Sequence, residues 1–192
     1  KPKFIITEHN THNKRRDKSY FRPVEKFVYS NYDAIISISE STQKNLISWL
    51  KPKVKSKFVV VENGINLEDF TNAESYKKTE LDSSFDENTK LLCMVGSFTN
   101  QKDQVTIIKA MKDLPENVSL LLVGDGPLRY ESELLAENLG VDDRVKFLGI
   151  RKDVPRIFKT SDIVIVSSHW EGFGLVAAEG MAAGKPVIAS DV

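Results

Sequence analysis

The sequence predicts an α/β protein built from doubly wound parallel sheets, and three observations carry that prediction. Its β-rich runs, such as LLCMV and VSLLLV, are short and continuously apolar rather than alternating. Strands buried on both faces by covering helices read this way. Amphipathic segments alternate with those runs, in the order βαβαβ and then βαβαβαβ, as in a parallel sheet with crossover helices. Capping and breaking residues stand where the amphipathic segments should start and stop.

The elements follow in chain order. Strands are predicted at residues 4–7, 34–38, 58–61, 91–95, 118–123, 145–148, 163–166 and 187–190. A first helix is predicted at 23–31. A second, at 40–50, has Ser39 as its cap and Pro52 beyond its end. A third, at 103–112, places Val105, Ile108 and Met111 on one stripe. The fourth starts near Pro127 and ends at Gly140, the order in which these two residues favour helix ends. A short helix covers 153–160. The last, from Leu175 to Ala183, stops at Gly184 with Pro186 two residues on.

Residues 72–90, including AESYKKTELDSSFDENTK, are polar and charged, and predict a linker or a long surface loop. It separates residues 1–71 from residues 91–192. The first part has about three strands, thin for an independent domain, so it is read as the second half of one. The chain starts without Met on a strand and stops just past another, which predicts a piece of a longer protein.

Composition narrows the function. Of 192 residues, 41% are hydrophobic and 28% charged, as in a soluble globular protein. Lys plus Arg and Asp plus Glu are 27 each, so no global field recruits nucleic acid or a membrane. No apolar run approaches the roughly 20 residues of a membrane span. The single cysteine, Cys93, lies in an apolar run and is read as core. It cannot form an internal disulfide, which fits a reducing compartment, so a cytoplasmic location is expected. There is no CxxC pair and no pair of aspartates two apart, so no metal is expected at the site. Gly124-Asp125-Gly126 opens like a dinucleotide fingerprint, but Arg129 stands where the third glycine belongs.

Residues 168–180, SHWEGFGLVAAEG, carry the chemistry. Gly172 and Gly174 bracket Phe173 just before a helix starts near Leu175. Such a turn leaves backbone N–H groups free beside the positive end of the helix dipole, a geometry that binds phosphate. The local side chains are acidic, however, and a carboxylate does not grip phosphate. It accepts hydrogen bonds from hydroxyls. A ligand with phosphates flanked by hydroxyls on both sides is a sugar nucleotide. Glu171 and Glu179 then serve its two sugars, and the turn serves the pyrophosphate. The alternative is that Glu171 caps a turn and Glu179 is solvated. Against it, Glu179 lies among Ala177, Ala178, Gly180, Met181, Ala182 and Ala183, where an isolated ionised carboxylate is costly.

EGFGLVAAEGMAAGKPVIAS resembles the signature of the group 1 glycosyltransferases, also called glycosyltransferase family 4, with its E-x7-E motif. VVVENGINLEDF, MVGSFTNQKD, LLLVGDGP, VKFLGIRKDVPRIF and SDIVIVSSHWEGFG resemble other family segments in the same order. The resemblance spans nearly the whole chain. It implies the GT-B fold, two Rossmann-like domains, with residues 1–71 on the acceptor side and 91–192 on the donor side. It also implies transfer of a sugar from a nucleoside diphosphate to a hydroxyl, retaining anomeric configuration and needing no metal. Carried over, Glu171 contacts hydroxyls of the donor sugar. Phe173, Gly174 and Leu175 offer backbone N–H groups, and Glu179 takes the ribose. Gly96 lets the backbone approach the diphosphate, Lys102 neutralises it, and Ile150, after the Gly149 turn, stands where the family's backbone contacts the base.

Two positions depart from the family. Ser97 stands where Arg is frequent, so Arg151 or Lys152 is a candidate replacement cation. Asp103 follows Lys102 where Gly is frequent, and is a candidate helix cap. His9, just before the segment THNKRR, is the best match to the family's cleft histidine, able to donate to the sugar or leaving phosphate; the alternative is a loop histidine that caps a turn. His12 has a weaker claim. Lys14, Arg15 and Arg16 form a basic cluster suited to an anionic acceptor, a lipid diphosphate or the inner face of a membrane, or to a solvated loop. His169 and Trp170 flank the motif, Trp170 as packing. The acceptor is expected to be a glycan or a lipid-linked molecule in polysaccharide or glycolipid synthesis. The segment alone is expected to be inactive. Two rival functions remain: a nucleotide-sugar-binding subunit without catalysis, favoured by Ser97, and a sugar-nucleotide epimerase or hydrolase on the same fold.

Overall fold

The structure, a computed structural model, describes residues 2–10 and 13–192, with Lys14 described in its backbone alone. The chain divides into two compact units, residues 1–64 with 171–174 and residues 65–170 with 175–192.

The first unit contains β1 (Ile5–Glu8), α1 (Arg22–Ser30), β2 (Ala34–Ser37), α2 (Glu40–Leu50) and β3 (Phe58–Val60). Its strands are parallel in the order β1-β2-β3, with Ile5 opposite Ala34 and Ile35 opposite Phe58. The Ser39 hydroxyl starts α2 as predicted, accepting from the Thr42 N–H at 3.2 Å. Tyr29 from α1 and Leu46 and Leu50 from α2 close over Ile35.

The second unit contains α3 (Leu67–Thr71), α4 (Lys78–Leu81), β4 (Lys90–Val95), α5 (Gln104–Ala110), β5 (Val118–Val123), α6 (Arg129–Leu139), β6 (Val145–Gly149), α7 (Val154–Thr160), β7 (Ile163–Val166), α8 (Leu175–Ala182) and β8 (Val187–Ala189). Its strands are parallel in the order β6-β5-β4-β7-β8. Side chains alternate across this sheet. Leu92, Met94, Leu120 and Leu122 join Ile108 of α5 and Ala136 of α6. Leu91, Cys93, Leu121 and Val123 join Phe158 of α7 and Phe70 of α3 on the other face. Both faces are covered, and that is why the strands read as unbroken apolar runs. Burial pushes the Cys93 thiol up to about 12, so it remains a neutral core group.

The reading of 72–90 as a linker needs correction. Residues 65–90 belong to the second unit. Phe85 is 3% exposed, and Tyr76 donates to Asp153 Oδ2 at 2.6 Å. The Tyr76 N–H donates to Thr160 Oγ1 at 2.8 Å. The segment is polar on average, yet Tyr76, Leu81 and Phe85 come at intervals that anchor it to the core. The short helices α3 and α4 were also missed, since so few residues hold no periodic signal.

Order along the chain positions the site. From β4 the chain steps outward through β5 and β6, then returns to pair β7 on the other side of β4. The reversal leaves a switch point at the carboxyl ends of β4 and β7, where open α/β sheets bind ligands.

Candidate active site

Three strands of the second unit end at or just before a glycine, and two of these carboxyl ends are built by close backbone approach. Gly96 follows β4 and its N–H donates to the Val123 carbonyl at 2.9 Å. The Gly124 N–H donates to the Gly149 carbonyl at 2.8 Å. Gly124 has φ 137, and a Cβ there would fall 2.1 Å from the Gly96 carbonyl oxygen. No side chain is compatible with that separation. A Cβ at Gly96 would lie 3.3 Å from the Lys102 methylenes, so this stem runs across the glycine. The fold thus brings together the two predicted diphosphate residues, Gly96 and Lys102.

Asp103 settles into the role of a cap. It has φ 52 and stands at the N-cap of α5, accepting from the Thr106 N–H at 3.3 Å and the Thr106 hydroxyl at 2.5 Å. Its Oδ2 also lies 3.5 Å from His169 Nε2. The loop after β7 is pinned to the loop before α5. Ser167 Oγ donates to the carbonyls of Lys102 at 3.0 Å and Asp103 at 2.8 Å. The His169 N–H donates to the Gln101 carbonyl at 2.8 Å, and Gln101 Nε2 donates to the Trp170 carbonyl at 2.9 Å. Ser167 and Gln101 position Lys102, and sequence reasoning passed over both because single hydroxyl and amide residues carry no motif.

Helix α8 starts at Leu175, directly after Gly174 at φ 77. Gly180 rests on β7, since a Cβ there would lie 3.1 Å from three atoms of the Val164 side chain. This close approach explains the small residues. Glu179, one turn into α8, is half-buried, and burial raises its carboxyl above the ordinary range. Among the described residues its carboxylate makes no hydrogen bond or ion pair.

Segment 171–174 groups with the first unit. A Cβ on Gly172 would lie 2.5 Å from the His9 carbonyl oxygen and 3.0 Å from Ile38 Cδ1. Gly172 is therefore required by the backbone at the end of β1, where His9 follows the strand with an exposed side chain. Glu171 is half-buried, while Phe173 is 36% exposed.

Ile150 is 78% exposed, just after Gly149 at φ 66. Arg151 is not a spare cation. Its guanidinium donates to both Asp153 oxygens at 2.8 and 2.5 Å. Arg151 first, and Tyr76 as well, hold Asp153 well below the usual carboxylate range. Lys152 is exposed. Arg129, which the sequence reading noted only as a broken fingerprint, reaches the end of β6. Its Nη1 lies 3.4 Å from where a Gly149 Cβ would be, and its Nε donates to Glu133 at 2.8 Å.

The basic cluster of the first unit also needs correction. Arg16 is committed inside the unit. Its Nη2 donates to Glu8 Oε2 at 2.8 Å, and its Nε lies 3.5 Å from Glu25. Tyr29 donates to the same Glu8 oxygen at 2.5 Å, and Trp49 Nε1 donates to Glu25 at 2.6 Å. Burial, then the bond to Glu8, raises the Tyr29 hydroxyl well above its ordinary value. Arg15 is exposed, and His12 lies outside the described residues.

Comparison with known proteins gives this arrangement its family. Residues 76–192 match the model of the glycosyl transferases group 1, and residues 1–69 match that of glycosyltransferase family 4. Glycosyltransferase MJ1607 of Methanocaldococcus jannaschii is 34% identical over 172 residues, 85% of this chain and 44% of that protein. The lipopolysaccharide core biosynthesis glycosyltransferase LpsD of Rhizobium meliloti is 41% identical over 96 residues, 50% of this chain and 28% of that protein. Among solved structures, Anabaena Alr3699/HepE in complex with UDP-glucose superposes with a TM-score of 0.83 at 25% identity, covering 99% of this chain and 54% of that one. The chain spans less than half the length of these two sequence relatives. With both parallel sheets and the E-x7-E segment in place, the chain belongs to the group 1 glycosyltransferases, of GT-B fold.

Proposed function

We propose that the protein transfers a sugar from a nucleoside diphosphate to a hydroxyl of a glycan or lipid-linked acceptor, retaining anomeric configuration and using no metal. The setting is polysaccharide or glycolipid synthesis on the cytoplasmic side of a membrane. The observation that carries this reading is Glu179, half-buried and without a side-chain partner among the described residues, one turn inside a helix whose N-terminal N–H groups suit a phosphate. A carboxylate held there is suited to accept from the two ribose hydroxyls.

In this reading Lys102, lying across Gly96, offsets the charge that builds on the departing diphosphate. Arg129, which reaches the end of β6, is a candidate for the cation absent at Ser97. Glu171 accepts from hydroxyls of the donor sugar, with the backbone N–H groups of Phe173, Gly174 and Leu175 beside it. Ile150 offers an apolar surface to the base, and His9 donates to the sugar or the leaving phosphate. A diphosphate is a good leaving group, so the protein's work is electrostatic support and orientation of the acceptor. The complex of HepE with UDP-glucose supports a nucleotide-sugar donor for this chain, and LpsD supports an acceptor in surface polysaccharide synthesis.

The full-length protein, incubated with UDP-, GDP- and ADP-sugars in excess EDTA, is expected to release nucleoside diphosphate only when acceptor is present. Release without acceptor would make it a hydrolase, and interconversion of free sugar nucleotides an epimerase. Tight binding with no turnover would make it a binding subunit.

A further inference from the structure

A second candidate site lies in the first unit, at the end of its sheet opposite His9. A cavity of about 450 Å³ opens where the C-terminal ends of α1 and α2 meet the segment leading into β3. Leu50, Pro52, Val54 and Phe58 give it apolar walls. Lys26, Lys51, Lys53 and Lys57 stand around it, and no acidic residue lines it.

One of these lysines has a structural explanation. Lys57 Nζ donates to the carbonyls of Tyr29 at 2.8 Å, Ser30 at 3.3 Å and Tyr32 at 3.2 Å. It closes the C-terminal end of α1, where a cation is favourable. Lys26, Lys51 and Lys53 are not used in this way. Among the described residues their side chains make no ion pair or hydrogen bond.

Lys51 adds an independent observation. It ends α2 at φ 45, a left-handed conformation that favours glycine at this position of a helix. The fold keeps a cationic side chain where glycine would be easier. The run KPKVKSK, residues 51–57, alternates lysine with small or apolar residues, and no acid occurs from Lys51 to Val61. Val54, between Lys53 and Lys55, is 60% exposed, and Phe27, beside Lys26 on α1, is 71% exposed.

We propose that this face docks on an anionic lipid surface, with Lys26, Lys51 and Lys53 binding headgroup phosphates and Val54 entering the apolar boundary beneath them. Charge complementarity chooses this occupant. Unpaired lysines around exposed aliphatic residues are the pattern of a peripheral membrane contact. A site for a small soluble anion would instead surround it with hydrogen-bond donors, and these walls are apolar. The inference uses none of the residues assigned to the sugar nucleotide.

The test is co-sedimentation of the full chain with vesicles of phosphatidylcholine, with and without phosphatidylglycerol. Binding is expected only with phosphatidylglycerol, and it should weaken with salt. Each of Lys26→Gln, Lys51→Gln and Lys53→Gln should weaken it about fivefold. Lys51→Gly separates the charge from the fold, because it should melt no lower than the parent and yet bind vesicles about fivefold more weakly. UDP affinity of these variants is expected to be unchanged. Equal binding to both vesicle types, or variants that bind as the parent does, would overturn the proposal. So would a lysine-dependent rise in melting temperature with inorganic phosphate and no vesicle binding, which would assign the cavity to a soluble anion.

Discussion

The two units stabilise similar parallel sheets by different means. In the second, alternate residues of β4 and β5 feed two apolar cores, and the strand ends are interlocked through backbone contacts at Gly96, Gly124 and Gly126. In the first, a small apolar cluster around Ile35 is joined to a charged network of Glu8, Arg16, Tyr29, Glu25 and Trp49. Apolar burial tolerates no extra volume but is indifferent to pH. A hydrogen-bonded charge network tolerates some volume change but depends on protonation. The proposed donor site sits largely on the unit with the apolar frame, where the Lys102 stem lies against Gly96.

Perturbing each unit on its own terms separates the two modes of stabilisation. The largest effect is expected from Gly124→Ala. Its Cβ would lie 2.1 Å from the Gly96 carbonyl oxygen, at a φ of 137, so β4 and β5 must separate at their ends. Urea denaturation should show a loss of about 4 kcal/mol or more.

Arg144→Met comes next. This guanidinium donates to the carbonyls of Met111 at 2.9 Å, Pro115 at 3.0 Å and Val118 at 3.3 Å, and so ties the loop before β5 to the start of β6. Removing it strips these carbonyls of their charged donor, leaving those of Pro115 and Met111 one backbone N–H each, and should cost about 3 kcal/mol by the same measurement.

A smaller, pH-dependent effect is expected from the first unit. The folded Tyr29 pKa is raised above its ordinary value of 10.0, so the fold favours the protonated hydroxyl. That stabilisation is complete below pH 10 and declines as pH climbs above it, by at most about 1.4 kcal/mol per unit. Thermal melts from pH 9 upward should show this decline in the parent and a shallower one in Tyr29→Phe.

What could be read from the sequence follows the same division. The central strands β4, β5 and β7 were visible because a two-sided apolar sheet writes itself as an unbroken run, and α2 was visible because Ser39 and its periodicity agree. The E-x7-E segment was visible because glycines, small residues and acids at fixed spacing have few other uses. The commitment of Arg16 to Glu8 was not, because the partners are eight residues apart with a loop between them and a basic run looks the same whether paired or free. The packing of Tyr76 and Phe85 was hidden by their polar neighbours. The pairing of Arg151 with Asp153 was hidden by proximity, since adjacent opposite charges need not meet. In each case the missing information was a partner brought close by tertiary structure.

Glu179, half-buried and without a side-chain partner among the described residues, is proposed to be kept for the ribose of the donor. Its pKa is raised by burial, so the fold favours the protonated form. That preference helps stability only near and below its ordinary value of 4.5 and is lost as pH climbs toward neutrality. Glu179→Gln at neutral pH should therefore melt no lower than the parent, while calorimetric titration shows the nucleoside diphosphate bound about ten- to a hundredfold more weakly. Unchanged nucleotide affinity in a folded Glu179→Gln protein would contradict the assignment.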